Sequence, residues 1–216
     1  MRRTGRHLTC FLLLIALICL SAVALTGCDS GEDPAPTYAD GLEYTTHYDG
    51  TCTLSGIGTF EGTVLRVPER SPEGDTVVAV GVAAFQNCAD LTTVSLPYSV
   101  TEIGAYAFAG CTSLSAITLP DRLVTLGDFA FKGCSAADRV YIGPKVTHIG
   151  DSAFFGCNGL LGVFYEGSTS DWKRVDLGSG NSALTVGVRW YYYSETPPTT
   201  AGYYWHYRGG SISIWE

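Results

Sequence analysis

Short apolar segments alternate with polar positions along residues 76–167, and the same arrangement occurs four times. Each copy contains a strand-like segment of alternating apolar residues and a Gly-x-x-Ala-Phe-x-x-Cys run. These runs begin at Gly81, Gly104, Gly127 and Gly150, so the period is 23 residues. A fixed period of about 20 to 50 residues is typical of solenoids, in which successive coils stack on one another. The pattern therefore predicts four stacked coils.

The alternation within each coil predicts which strand residues face the core, because successive side chains on a strand point to opposite faces of the sheet. The predicted inward pairs are Val94/Leu96, Ile117/Leu119, Val140/Ile142 and Val163/Tyr165. The predicted outward pairs, which we expect to be exposed, are Thr93/Ser95, Ala116/Thr118, Arg139/Tyr141 and Gly162/Phe164.

The Ala-Phe-x-x-Cys run is too short to form a stable isolated helix. We expect one helical turn that carries its phenylalanine into the core, where each ring contributes roughly 1.5–3 kcal/mol. The glycine before each run marks a corner that needs a positive φ or a close backbone approach. The phenylalanines of this structural ladder are Phe85, Phe108, Phe131 and Phe154.

Cysteines recur with the same period, at Cys88, Cys111, Cys134 and Cys157. Equivalent atoms of neighbouring coils lie about 4.8 Å apart, whereas the two Cβ atoms of a disulfide lie about 3.8 Å apart. A straight file of thiols also cannot surround a zinc ion tetrahedrally. We therefore expect small, buried, structural cysteines rather than disulfides or a metal site.

These repeats resemble the BspA-like (Treponema pallidum type) leucine-rich-repeat family, whose pattern is roughly LxxIxLPxxVxxIGxxAFxxC. The third copy departs at Ala137, where the others have leucine, and its proline, Pro144, comes one place later. In the fourth copy Gly167 replaces the proline, which suggests that the solenoid ends there. The resemblance implies a leucine-rich-repeat solenoid, β-rich with short helical turns. It also implies a binding protein, since family members are associated with adhesion to host matrix proteins and to other cells.

The segments on either side of the repeats are expected to cover the ends of the solenoid. Residues 41–75 form a predicted N-terminal β cap, in which Asp49-Gly50 between two alternating runs predicts a hairpin turn. Residues 168–216 form the predicted aromatic C-terminal cap, which holds Trp172, Trp190, Trp205 and Trp215. The alternative for this segment is a flat aromatic platform for sugars or peptide side chains.

The first residues of the chain have the features of a secretory leader. Residues 1–7 carry three arginines, and residues 8–25 are nearly continuously apolar. The run closes on Leu-Thr-Gly-Cys28, which resembles a bacterial lipobox. The resemblance implies a lipoprotein signal peptide at 1–27 and a lipidated Cys28, with a tether over 28–40. An uncleaved N-terminal anchor and plain secretion are the alternatives.

Composition and charge reduce the number of function classes that the chain could belong to. The chain has 216 residues, enough for one domain and a leader, and a formal net charge of −8. Such an acidic chain is a poor partner for nucleic acid, which requires clustered Lys and Arg. The sequence has none of the common catalytic or nucleotide-binding motifs, and Asp128 and Asp151, at equivalent positions, suit a solvated face. We therefore predict no enzyme activity, no metal and no cofactor.

The function that we favour from the sequence is a lipid-anchored binding module on the extracytoplasmic face of a bacterial membrane. Its partners would be extracellular or envelope proteins, with glycans as a further class. The candidate binding residues are Arg139, Tyr141 and Phe164 on the outward columns and Trp190 and Trp205 in the tail, since aromatic residues and arginine are frequent at interface hot spots. Tyr141 and Phe164 could instead pack on the tail. The other hypotheses are a structural or envelope-assembly lipoprotein and, below both, a glycan-positioning accessory unit.

Overall fold

The computed structural model describes residues 38–199, 201–208 and 211–215, so the predicted signal peptide, Cys28 and most of the tether lie outside the described residues. In this part of the chain, no helix is long and apolar enough to cross a membrane. The α-helix α1 spans Thr169–Trp172, and a 3₁₀ turn covers Ser182–Leu184. The strands are β1 (Glu43–Thr46), β2 (Thr51–Gly56), β3 (Val64–Arg66), β4 (Thr76–Val80), β5 (Thr93–Ser95), β6 (Glu102–Ile103), β7 (Ala116–Thr118), β8 (Thr125–Leu126), β9 (Arg139–Ile142), β10 (His148–Ile149), β11 (Gly162–Tyr165), β12 (Asp176–Leu177), β13 (Arg189–Tyr193), β14 (Tyr204–Arg208) and β15 (Ser211–Ile214).

Parallel pairing between successive coils builds a solenoid. One sheet has the order β1-β2-β4-β6-β8-β10-β12, and a second has the order β15-β14-β13-β11-β9-β7. β3 and β5 form a separate parallel pair. From β2 onward, all the strands of the first sheet are parallel, which gives about six turns with coils of about 23 residues. The solenoid prediction is confirmed, but the repeats alone predicted four coils and the structure has six.

The additional coils come from segments that lack the repeat sequence. β2 pairs in parallel with β4, and β12 pairs in parallel with β10, placing Asp176 opposite His148. This pairing uses backbone N–H and C=O groups, which almost every residue carries. The solenoid therefore continues beyond residue 167, where the loss of the repeat pattern suggested that it ends.

The Ala-Phe-x-x-Cys runs form tight turns and not the helical turns that the sequence suggested. In the first run, the amide of Cys88 closes a turn on the carbonyl of Phe85 at 3.2 Å. The amide of Phe85 instead donates to Ala107 of the next coil at 2.8 Å. Each run is therefore a further ladder between coils, and two residues of each Gly-x-x-Ala-Phe-x-x-Cys run have a positive φ. The first of the two is Ala83, Tyr106, Phe129 or Ser152, with φ between 52° and 59°, and the second is Asn87, Gly110, Gly133 or Gly156, with φ between 63° and 79°.

The phenylalanines of these turns stack into one column inside the solenoid. At most 3% of each of the four residues is exposed. The strand residues predicted to face inward are buried from Ile117 to Tyr165, whereas Val94 and Leu96 of the first copy are half-buried. The ring centroids along the column Phe85, Phe108, Phe131 and Phe154 are 5.2, 5.2 and 5.8 Å apart, with interplanar angles of 5°, 8° and 12°.

The N-terminal segment begins with the hairpin that Asp49-Gly50 predicts. β1 is antiparallel to β2, and Gly50 has a φ of +78°. The carboxylate of Asp49 accepts hydrogen bonds from the amide and the hydroxyl of Thr51, at 3.0 and 2.6 Å. β1 lies at the end of the seven-stranded sheet, and its role as a cap stays a prediction.

One buried asparagine completes the turn ladder after the last repeat. Asn181 is 4% exposed. Its Oδ1 accepts the amide N–H of Phe154 at 3.1 Å. Its Nδ2 donates to the carbonyl oxygens of Gly150 and Gly178, both at 2.9 Å. The side-chain amide thus supplies the acceptor that the backbone of a following coil supplies elsewhere.

Replacing Asn181 with alanine should lower the free energy of unfolding by about 1–3 kcal/mol, because the amide of Phe154 would stay buried without its partner. Asn158→Ala is the matched control, since Asn158 is exposed. Chemical denaturation followed by tryptophan fluorescence measures both variants. Equal unfolding free energies for the two variants would contradict the role that we assign to Asn181.

Candidate functional site

The ladder cysteines and Cys52 are free thiols. Sγ of Cys111 donates a hydrogen bond to the carbonyl oxygen of Phe85 at 3.3 Å, and the next two cysteines of the column repeat this contact at 3.3 and 3.1 Å. Cys88, at the start of the column, is half-buried. In the described ranges, no three His, Cys, Asp or Glu side chains lie close enough to hold a metal ion. The thiols fill the core and connect one coil to the next.

The protein should lose stability above about pH 9, because burial raises the pKa of Cys111 to about 12 from an ordinary value of 9.0. The folded state favours the neutral thiol, so this contribution is complete below the unfolded pKa. It then falls by up to about 1.4 kcal/mol per pH unit as the pH rises towards the folded pKa. Denaturation of Cys111→Ala across this alkaline range should show a shallower loss than the parent.

Cys88→Ala is the control for this pH dependence, because Cys88 is half-buried and should contribute less to the slope. Tyrosines that titrate in the same range affect the parent and both variants alike. Parallel stability curves for the parent and Cys111→Ala would show that the buried thiol does not cause the alkaline loss.

The outer face of the six-stranded sheet carries a column of aromatic rings. In the strand register, Tyr141 lies beside Phe164, and Phe164 lies beside Tyr191. The ring centroids are 4.9 Å apart in the first pair and 4.6 Å apart in the second. The ring of Trp205 packs edge-on against Phe164, at 6.3 Å and an interplanar angle of 78°. Together these rings form a small apolar cluster that is distinct from the solenoid core.

This packing corrects the expectation that Phe164 and Trp205 are exposed recognition residues. Phe164 is 9% exposed and Trp205 is 2% exposed. The reason is that β13 and β14 continue the sheet beyond β11 and pack their outward rings against Phe164. Tyr141, at the other side of Phe164, is half-buried. Neither Phe164 nor Trp205 offers a free ring face, which agrees with the alternative that the outward aromatic residues pack on the tail.

Trp190 lies on the opposite face of the sheet from Trp205. Tyr193 pairs with Trp205 across the strands, and side chains alternate along a strand, so Trp190 points the other way. The indole N–H of Trp190 donates to the carbonyl of Leu184 at 2.7 Å, and its ring lies 4.4 Å from that of Trp172. The two tryptophans proposed from the sequence therefore do not form one platform.

An open groove of about 900 Å³ lies beside the aromatic cluster, where β9, β11 and β13 begin. Gly162 lies between Arg139 and Arg189 on neighbouring strands, and its missing side chain leaves space between them. Leu161, which is 71% exposed, and Tyr203, which is 52% exposed, line the groove. Sequence reasoning missed Arg189 and Tyr203. Their place at the groove follows only from how β13 and β14 pair with β11 and with each other, and these two strands lie outside the repeat pattern.

The two arginines of the groove differ in their partners. Nε and Nη2 of Arg139 donate to the two carboxylate oxygens of Asp138, at 2.7 and 2.8 Å. This pairing holds the pKa of Asp138 below its ordinary range. The guanidinium of Arg189 lies 4.7 Å from the ring centroid of Tyr203 and donates to the hydroxyl of Tyr191 at 3.4 Å. Among the described residues, Arg189 has no carboxylate within ion-pair distance.

Asp128 and Asp151 hold backbone amides of the following coil. Oδ1 of Asp128 accepts the amide N–H of Asp151 at 2.7 Å, and Oδ1 of Asp151 accepts that of Ser179 at 2.6 Å. The equivalent positions in the earlier coils are Val82 and Ala105. These two carboxylates therefore connect coils, as the amide of Asn181 does.

A smaller groove of about 420 Å³ lies along β5 and β7, away from the first one. Tyr98, which is 61% exposed, lines it. The guanidinium of Arg122 lies 5.5 Å from the ring centroid of Tyr98. This is a second exposed arginine–tyrosine pair, and it offers a matched comparison for Arg189 and Tyr203.

Replacing Phe164 with alanine should lower the free energy of unfolding by about 3–5 kcal/mol, because the ring is packed between Tyr141 and Tyr191. Tyr203→Ala should change it by less than about 1 kcal/mol, since Tyr203 is exposed. Thermal unfolding of the two variants measures the difference. A Phe164→Ala protein as stable as Tyr203→Ala would contradict the packed cluster.

Comparison with known proteins places the repeats in a family. The sequence pattern of the BspA type leucine rich repeat region matches residues 73–174 in six copies. The crystal structure of the T. pallidum leucine-rich-repeat protein is 28% identical, with a TM-score of 0.62 over 73% of this chain and 71% of that chain. A leucine-rich-repeat protein from Bacteroides capillosus is 30% identical, with a TM-score of 0.53 over 61% of this chain and 98% of that chain. No curated protein matches the chain significantly.

The stacked parallel coils and the exposed outer face define a solenoid, a class of protein that typically uses extended surfaces for binding. Within that class, the chain belongs to the BspA-type leucine-rich-repeat family. The resemblance identified from the sequence is therefore confirmed. Neither matching structure's name states a ligand.

Proposed function

We propose that this protein is a non-catalytic binding module for other proteins, lipid-anchored at the extracytoplasmic face of a bacterial membrane. The observation that carries the proposal is the open groove between Arg139 and Arg189 on the outer face of the six-stranded sheet. Solenoids use such continuous surfaces to bind partners. Arginine and tyrosine, which line this groove, are also the residue types that dominate interface hot spots.

The chemistry of the groove supports recognition over catalysis. Its carboxylate, Asp138, is engaged at both oxygens by Arg139. Because this pairing lowers its pKa, Asp138 stays ionised and is a poor donor or carrier of protons at neutral pH. The remaining side chains at the groove, such as Leu161, Arg189 and Tyr203, offer apolar, cationic and phenolic contacts.

The sequence at the N-terminus supports the anchor. The basic start, the apolar run and the Leu-Thr-Gly-Cys28 ending together resemble a lipoprotein leader. Several acyl chains on Cys28 would make a durable anchor, because each buried CH₂ contributes about 0.8 kcal/mol. Anchoring would leave the solenoid outside the cytoplasm, where extracellular or envelope proteins are the available partners. The net charge of −8 argues against nucleic acid.

The proposal is tested by arraying the full chain, purified in detergent, against matrix proteins, mucins and bacterial envelope proteins. We expect saturable binding to at least one protein, and we expect Leu161→Asp to weaken it at least about tenfold, since a charge at the groove disrupts apolar contact. Val82→Asp is the matched control, because Val82 is 70% exposed and Leu161 is 71% exposed. Val82 lies in a turn run and not at the groove.

Saturable binding that Leu161→Asp weakens and Val82→Asp leaves intact supports a binding module that uses this surface. Binding that both variants weaken equally would remove the outer face as the site. The absence of saturable binding to every protein in the array would overturn adhesion as the function.

A second candidate, assembly with other envelope proteins, is favoured by the position of β15. Among the residues that the structure describes, this strand ends the six-stranded sheet. Ile212 and Ile214 on it are 39% and 44% exposed. An exposed edge strand with apolar side chains is a template for strand pairing with another chain. Co-purification with envelope proteins of the same cell alone, and no binding to matrix proteins, would favour this function.

A further inference from the structure

Arg189 is a cation held in place without a counter-charge. Its guanidinium stacks on Tyr203 at 4.7 Å and donates to the hydroxyl of Tyr191 at 3.4 Å. Within the described ranges, no carboxylate lies within ion-pair distance of it. A guanidinium fixed by aromatic neighbours loses little further side-chain entropy when it binds a planar carboxylate through two parallel hydrogen bonds. Arg189 is therefore preorganised for a carboxylate from another molecule.

The groove carries a net positive charge at Arg189, because the other arginine that lines it is paired with a carboxylate. Arg139, two strands away across Gly162, is neutralised by its paired carboxylate, Asp138. Those two strands are separated by about 10 Å, twice the spacing between neighbouring strands. The chain as a whole carries a formal charge of −8. A local positive charge on an acidic protein marks this point of the surface as one that attracts an anion.

The apolar side chain at the groove indicates which chemical group of the ligand lies next to its carboxylate. Leu161, 71% exposed, precedes Gly162 in the chain, and its carbonyl accepts the amide N–H of Arg189 at 2.9 Å. The same groove is therefore lined by an exposed aliphatic side chain and by the guanidinium of Arg189. An acidic residue next to an aliphatic residue in a peptide would match both features at once.

We infer that the groove at Gly162 binds an acidic peptide segment of a protein partner, with a carboxylate on Arg189 and a neighbouring aliphatic side chain on Leu161. This inference rests on the proposed function and names the chemistry of its partner. A sugar acid is disfavoured, because sugars stack on open ring faces and most of the ring surface beside this groove is covered. Phe164 and Tyr191 are 9% and 8% exposed, and the guanidinium of Arg189 covers a face of Tyr203.

The test measures binding of two pools of fluorescein-labelled hexapeptides to the full chain by fluorescence anisotropy. One pool pairs leucine with Glu or Asp, and the matched pool has Gln or Asn in their place. We expect saturable binding of the acidic pool and at least about tenfold weaker binding of the amide pool, since a charge-assisted hydrogen bond is roughly twice as strong as a neutral one. Arg189→Gln should weaken the acidic pool by a similar factor, and Arg189→Lys should fall between the two.

Arg122→Gln is the matched control, because Arg122 is also exposed and lies over a tyrosine ring, at a different groove. It removes one positive charge at a different place on the surface and should leave binding of the acidic pool unchanged. All of these side chains are exposed, so the variants should keep the parent's melting temperature, which is measured alongside.

Three outcomes overturn the inference. The first is the absence of binding by the acidic pool, or equal binding of the two pools. The second is unchanged binding in Arg189→Gln, or an equal loss in Arg122→Gln. The third is binding of oligogalacturonate that depends on Arg189 without binding of the acidic peptides, which would identify an anionic glycan as the ligand.

The inference and the proposed function fail in different ways. If an arrayed protein binds the parent and Leu161→Asp abolishes that binding while Arg189→Gln does not, the surface is right and the carboxylate chemistry is wrong. If no arrayed protein binds at all, the proposed function is wrong, whatever the peptides do.

Discussion

Parallel backbone hydrogen bonds hold successive coils at one separation, and this separation constrains nearly every column of side chains. Neighbouring strands lie about 4.8 Å apart, and the rings of Phe85 and Phe108 follow at 5.2 Å and only 5° from parallel. The turn runs add hydrogen bonds between coils, such as that from Phe85 to Ala107. A side chain inside the solenoid must therefore fit against a similar one above and below it, which explains why phenylalanine and cysteine recur at fixed positions.

Short polar side chains add hydrogen bonds between coils near the C-terminal end of the repeats. Asp128 and Asp151 each accept an amide N–H from the coil that follows. Asn181 goes further, because its single buried amide side chain bonds to Phe154 and to two carbonyls. Leaving a buried amide without a partner costs about 1–3 kcal/mol, so Asn181 contributes to stability although it does not belong to the apolar core.

Side chains on the outer face do not have to pack against identical residues of the neighbouring coils, and the residue types on this face change along the solenoid. One column passes from Thr118 through Tyr141 and Phe164 to Tyr191, and its aromatic rings stack and cover one another. In the neighbouring column, Gly162 separates Arg139 from Arg189 and leaves an open groove. A buried aromatic cluster and an accessible cationic groove therefore arise side by side, and the function that we propose depends on the second.

The sequence by itself determined the coil period, the phenylalanine column and the hairpin at Asp49-Gly50, because these depend on local spacing and on a positive φ that glycine adopts readily. Only the tertiary structure decided that β12 and β13 form a further coil, since backbone pairing leaves no residue signature. It also decided that Phe164 is covered, because the covering rings come from Tyr191 and Trp205 further along the chain. The position of Arg189 opposite Arg139 follows from that same pairing, and residues far apart in sequence become neighbours only once the strands are in register.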